Sequence, residues 1–256
     1  MSGSGVTCPC CGTIMTSESL RLESQAGRLG TVMTAVVVDG QNGKEYRLPT
    51  EDELRLVADA EKAVSTAFAA ISCGLPEESI PQGASRSGGG SAFTVFLYGL
   101  TRWCNLFTPR QLLALGTFVK YTRTVREAMQ EQGYSLEWEE ALNAYLALAV
   151  DKLVDRNSAQ CIWISTNAEK ASGSFGRFAL AITWDFVEIM PWSESAGGFA
   201  GNLNHIAECV EHVLSAATSK ASTKALRQSA IEEHKDTFDV IITDPPYYDA
   251  IPYVVM

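Results

Sequence analysis

Asp244-Pro245-Pro246-Tyr247 combines a carboxylate, a stiffened backbone and an aromatic face within four residues. That set suits transfer of a group to an exocyclic amino nitrogen of adenine or cytosine. Such a nitrogen is a poor nucleophile, because its lone pair is delocalised into the ring. Acceptors aimed at both amino hydrogens draw it towards a tetrahedral, nucleophilic geometry. The Asp244 carboxylate can supply one acceptor and the Pro245 carbonyl the other. Pro245 and Pro246 fix φ, so both acceptors are held in place before substrate arrives. Tyr247 offers a face to a base swung out of the duplex. Base–aromatic stacking contributes about 1–3 kcal/mol per base. Tyr248, Asp249 and Tyr253 follow closely enough to form the outer, substrate-contacting wall of the loop. An ordinary turn uses the same residue types, so the surroundings decide.

Those surroundings begin with Phe238-Asp-Val-Ile-Ile-Thr243, a short apolar run that reads as a strand buried on both faces. Loops at the carboxyl ends of strands in α/β sheets are where ligands bind. Upstream, the elements are mostly helical. Thr50 and Glu53 have capping-box spacing, and Leu54, Val57, Ala58, Ala60 and Val64 give the helix that follows an apolar face. Thr108-Pro109 opens a second helix to Gln132, with Leu112, Leu115, Phe118, Val119, Val125 and Met129 as its buried stripe. A third runs from Ser135 to about Val154, acidic in its first turn, and a fourth from Asn204 to Ala217. Before them, Thr31–Val38 and Glu45–Leu48 flank Asp39-Gly-Gln-Asn-Gly43, which predicts a hairpin. Gly74 to Ser91 is a loop, and its Ser87-Gly-Gly-Gly-Ser91 reads as linker.

Cys8 and Cys11 have the two-residue spacing of a zinc knuckle, with Cys10 as a substitute. Structural zinc takes four ligands, so this is half a site. Cys73, Cys104, Cys161 and Cys209 stand alone and read as small hydrophobes. His205, His212 and His234 read as surface or capping residues.

The chain of 256 residues is 46% hydrophobic, which suits a globular protein. Seven cysteines without a regular framework point to a reducing compartment, hence a cytoplasmic protein. No apolar run is long enough for a membrane span. A net charge of −10 disfavours general attraction to nucleic acid. Ser79 to Arg126, however, contains no acid and carries Arg86, Arg102, Arg110, Lys120, Arg123 and Arg126. These cations either face a phosphate backbone or pair with carboxylates from elsewhere in the fold.

The run Thr243 to Tyr253 resembles the adenine-specific DNA methylases that contain a zinc ribbon, a family of amino-methyltransferases. Cys8-Pro-Cys-Cys-Gly12, Tyr98-Gly-Leu-Thr-Arg-Trp103 with Phe107-Thr-Pro-Arg-Gln-Leu112, and Ile182-Thr-Trp-Asp-Phe-Val-Glu188 extend the likeness over most of the chain. It implies S-adenosyl-L-methionine (SAM) as cofactor, DNA as partner, and a target-base site at Asp244 to Tyr247. It implies no roles for the Thr-Pro-Arg and Trp-Asp-Phe stretches. The Gly-rich cofactor turn of such enzymes is missing, and the likeness places it upstream of the zinc ribbon. The expectation is therefore a fragment: part of a Rossmann-like α/β sheet with a largely helical insertion and a small β-rich zinc-ribbon-like segment. Its divisions are a knuckle and hairpin at 1–49, a helical insertion or target-recognition region at 50–235, and the catalytic strand and loop at 236–256. Two alternatives share the sequence: the same chemistry on cytosine, RNA or a protein amide, and a non-catalytic DNA- or partner-binding module.

Overall fold

A computed structural model describes residues 5–81, 93–166, 169–176, 179–195, 197–217, 225–229, 231–232 and 237–245. The chain is mixed α/β, with five helices and small antiparallel sheets among these residues. The first sheet is a hairpin of β1 (Gly5–Thr7) and β2 (Ile14–Thr16), which pairs Val6 with Met15. Thr16 then caps α1 (Ser17–Gln25), its hydroxyl accepting from the Ser19 amide. The expected second hairpin forms as β3 (Val36–Gly40) and β4 (Gly43–Arg47), with Gly40 opposite Gly43. Gly43 has φ 121°, the freedom the turn required of it.

α2 (Glu51–Ala69) starts on the full capping box: Glu53 N–H donates to the Thr50 hydroxyl, and Thr50 N–H donates back to the Glu53 carboxylate. Its first half is more exposed than the sequence suggests, with Leu54 at 44%. The buried stripe instead falls on Val64, Phe68 and Ile71, which pack on Leu112, Leu113 and Val119 of α3 (Pro109–Glu131). The absence of a side chain on Gly116 lets the Phe68 ring lie against α3; a Cβ there would sit 2.8 Å from it.

α4 (Leu136–Arg156) packs on α3, and α5 (Phe199–Ala216) packs on α4. α5 begins five residues before the expected Asn204. Asn202 holds that start, donating to the Ala149 and Gly197 carbonyls while 5% exposed. A last hairpin, β5 (Trp163–Ile164) with β6 (Lys170–Ala171), follows α4. The second core joins Ile80, Phe93, Val95, Leu106 and Leu180 around two short 3-10 turns at Val95–Tyr98 and Trp103–Leu106. Among the described residues no helix is long and apolar enough to cross a membrane.

The strand expected at Phe238–Thr243 is not formed among the described residues. None of its residues lies in a sheet, and Val240, Ile241 and Ile242 are 73%, 75% and 92% exposed. The physical reason is the absence of a ladder to join. Every sheet among the described residues is a closed two-stranded hairpin, whereas a strand buried on both faces needs neighbours on each side.

Candidate functional site

Asp244 and Pro245 lie at the end of that exposed run, and both are exposed themselves. Pro246, Tyr247, Tyr248, Asp249 and Tyr253 lie outside the described residues, as do Arg86, the Ser87–Ser91 stretch and His234. The structure therefore brings none of the other described site candidates against Asp244.

Cys8 and Cys11 sit at the tip of the β1–β2 hairpin, where Cys8 N–H donates to the Thr13 carbonyl and Gly12 N–H to the Cys8 carbonyl. Gly12 takes the left-handed conformation, φ 71°, that lets the chain double back. Cys11 Sγ lies 3.3 Å from Thr13 Oγ1. The Thr13 hydroxyl, then its backbone amide, then the Cys8 thiol lower the Cys11 pKa from the ordinary thiol value. That favours the thiolate, the form that ligates a metal. By contrast, burial raises the pKa of Cys104. Cys161 is fully buried, as expected of a small hydrophobe, but Cys73 and Cys209 are exposed, which corrects that reading for them. Among the described residues no three His, Cys, Asp or Glu side chains converge where a metal ion could sit. Cys8 and Cys11 thus offer two ligands, not four.

The two stretches that the sequence left without a role meet each other. Thr108 caps α3 in a capping box with Gln111, and its hydroxyl donates to the Glu188 carboxylate at 2.8 Å. Arg110 Nε donates to the other Glu188 oxygen. One carboxylate thereby ties Thr-Pro-Arg-Gln to Trp-Asp-Phe-Val-Glu. The junction extends outward through the Val187 amide, which donates to the Cys161 carbonyl. Trp184 packs edge-on against Tyr98 at 5.6 Å, and the Arg21 guanidinium lies over the Tyr98 ring, 5.7 Å from its centroid. Ser24 and Gln25 of α1 donate to the Tyr98 and Leu97 carbonyls. The knuckle's helix and both unassigned stretches therefore form one connected framework. Thr108 followed by Pro109 signalled the helix start, though not the Gln111 half of the capping box; nothing in the sequence signalled Glu188 as the clasp.

Of the five described cations of the acid-free stretch, three find carboxylates. Arg102 pairs with Glu77 at 3.1 Å, Arg110 with Glu188, and Arg126 with Glu139, a residue 2% exposed in the α3–α4 interface. Gln130 donates to the same Glu139 carboxylate. Arg123 donates to the Ser72 hydroxyl, and Lys120 lies over the Tyr121 ring. His205 and His212 are exposed on α5, in line with the surface reading.

SAM does not fit the one glycine-flanked turn that the sequence weighed and the structure describes. At Gly173-Ser-Phe-Gly176, the Ser174 amide donates to the Asp155 carbonyl and the Phe175 amide to the Asp155 carboxylate. Those donors are already used, and the turn follows a two-residue hairpin strand instead of a buried parallel one. The chain matches no protein-family model, no curated protein and no solved structure.

Proposed function

We propose that this chain carries the target-base loop of a SAM-dependent methyltransferase acting on the exocyclic amino group of adenine in DNA, and that it works as one part of that enzyme. One observation carries the proposal. Asp244 and Pro245 stand exposed at the end of an apolar, β-branched run that is itself exposed. Val240, Ile241 and Ile242 suit a strand interior and are costly in water. A parallel methyltransferase sheet, covered on both faces, is the environment such a run fits, and Asp244 would then occupy a carboxyl-end loop.

In this reading the Asp244 carboxylate and the Pro245 carbonyl accept from the two amino hydrogens and orient the nitrogen for in-line attack. Tyr247 stacks the extruded base, while Tyr248, Asp249 and Tyr253 wall the loop. SAM supplies the methyl group and is held outside the described residues. Cys8 and Cys11 would give two thiolates to a structural zinc. The clasp at Glu188 holds the knuckle's helix and the helical body in one register, as a target-recognition element requires.

The test is methyl transfer from labelled SAM by the enzyme purified from its own cells. Duplexes with and without adenine, cytosine duplexes, RNA and peptide amides serve as acceptors. Label appearing on adenine N6 is the expected result. Label on cytosine, RNA or peptide would move the substrate while keeping the loop chemistry. Salt-dependent duplex binding with no transfer to any acceptor would replace the enzyme with a binding module.

A further inference from the structure

α4 carries two apolar stripes. Ala149, Val150 and Leu153 are buried in the helical body, where α3 and α5 pack on the helix. The other stripe is exposed: Trp138 at 62%, Tyr145 at 39% and Leu148 at 54%, with Ala141 exposed between them. Steps of three, four and three residues make the seam by which helices dock on one another. A contiguous apolar surface left in water marks an interaction site. We propose that this seam is the interface of a two-fold symmetric dimer. In it α4 lies antiparallel to the same helix of a second copy, and each Trp138 enters a groove at the far end of the other copy's helix.

Leu148, Asp151, Lys152, Asp155, Phe175 and Gly176 line that groove, an open cleft of about 400 Å³. It is preformed: the Asp155 carboxylate accepts from the Phe175 amide at 2.9 Å, and Trp103 meets the Phe175 ring edge-on at 6.4 Å. Clefts of about 300–1,000 Å³ take whole small molecules, so one indole fits. Leu148 and Phe175 offer apolar contact, Asp151 and Asp155 offer acceptors to the indole N–H, and Lys152 offers a cation to the ring face. Trp138 and Lys152 lie fourteen residues, or about four turns, apart on one face of the helix. A two-fold axis crossing α4 midway, near Tyr145, therefore brings each Trp138 to the other copy's groove. That reciprocity is what an isologous interface requires.

The charges choose the same occupant. Glu137 beside Trp138 and Lys152 at the groove are both exposed, and among the described residues neither has an ion-pair partner. The axis that seats Trp138 also sets Glu137 of one copy against Lys152 of the other, twice over. One helix thus carries the aromatic anchor, the cleft for it and opposite charges at matched ends, which makes the face complementary to itself. The dimer does not depend on the methyl-transfer proposal.

Sedimentation equilibrium of the full chain, under reducing conditions so that its exposed cysteines do not cross-link, reads the association directly. The average mass should climb from one chain to two as concentration rises. Trp138→Ala should weaken association about 30-fold or more, the loss typical of an aromatic anchor seated in a pocket. Glu137→Lys and Lys152→Glu should each weaken it by setting like charges together, and the double variant should recover it. All three positions are exposed, so far-UV circular dichroism and the thermal midpoint of each variant's monomer should match the wild type. A chain that stays monomeric at every concentration would overturn the proposal and leave the seam to a helix of another protein. A dimer indifferent to Trp138→Ala, or a double variant no tighter than the single ones, would overturn it as well.

Discussion

The helical body and the segment that leads to Asp244 differ in what they bury. Val95, Leu106, Ala149, Leu153 and Cys161 are fully buried, on the 3-10 turns, on α4 and just after it. Every described residue from 211 to 245 is exposed. Composition does not explain the contrast, because Val213, Leu214, Val240, Ile241 and Ile242 are as apolar as the core. The difference lies in neighbours. α2, α3, α4 and α5 pack in succession, each apolar stripe meeting the next element. The run before Asp244 needs strands on both sides, and the described residues supply none. A chain can thus hold a stable scaffold and still present its most chemically specific residues where that scaffold does not reach.

Amide hydrogen exchange should show the contrast most strongly. Amides of Leu115 to Met129 in α3 should exchange only through opening that costs close to the global stability, typically about 5–15 kcal/mol. In this chain by itself, those of Val240 to Ile242 should exchange at nearly unprotected rates. Comparable protection in both regions would mean that the run is covered.

Core substitution comes next. Leu153→Ala, at a fully buried site, should cost about 2–5 kcal/mol in denaturant unfolding. In this chain by itself Ile242→Ala, at 92% exposure, should stay within about 0.5 kcal/mol. A large loss at Ile242 would erase the distinction between the two regions.

The clasp should have a middling effect. Glu188→Ala leaves the Thr108 hydroxyl and Arg110 without their shared acceptor, at a cost of about 1–3 kcal/mol. Glu188→Gln keeps an acceptor and should cost less. Equal losses in the two variants would show that shape, not hydrogen bonding, holds the junction.

The smallest effect is a pH dependence at the entry to α2. The Glu53 carboxylate is lowered to about 2, first by the Arg47 guanidinium and then by the Thr50 amide. A depressed carboxylate contributes stability that is present above its ordinary value and lost as pH falls to the folded one. The thermal midpoint of the wild type should therefore exceed that of Glu53→Gln above about pH 4.5, and the two should converge as pH falls towards 2. A constant gap across that window would contradict the assignment.

Local signals were the legible ones. Thr50 with Glu53, Thr108 with Pro109 and Gly40 opposite Gly43 each set a cap or turn within a few residues, so sequence spacing located them. Pairings distant along the chain were not legible. Glu188 lies eighty residues from Thr108, and their contact depends on how the 182–188 stretch returns over the start of α3. The strand expected at 238–243 is unformed among the described residues for a related reason. Its apolar pattern records what the run prefers to be, whereas a strand's existence depends on partners that local sequence does not contain. The chemistry proposed for Asp244 rests on adjacent residues, which a sequence displays directly. Its framework is not so displayed, because none of the described elements forms it.

The most direct test of the central claim compares methyl transfer by wild-type enzyme with that of Asp244→Ala, both purified from cells that make the complete enzyme. Asp244 is exposed, so the substitution should leave unfolding stability within about 0.5 kcal/mol while transfer to adenine is abolished. Undiminished transfer by a folded Asp244→Ala enzyme would remove the carboxylate from the chemistry and contradict the account.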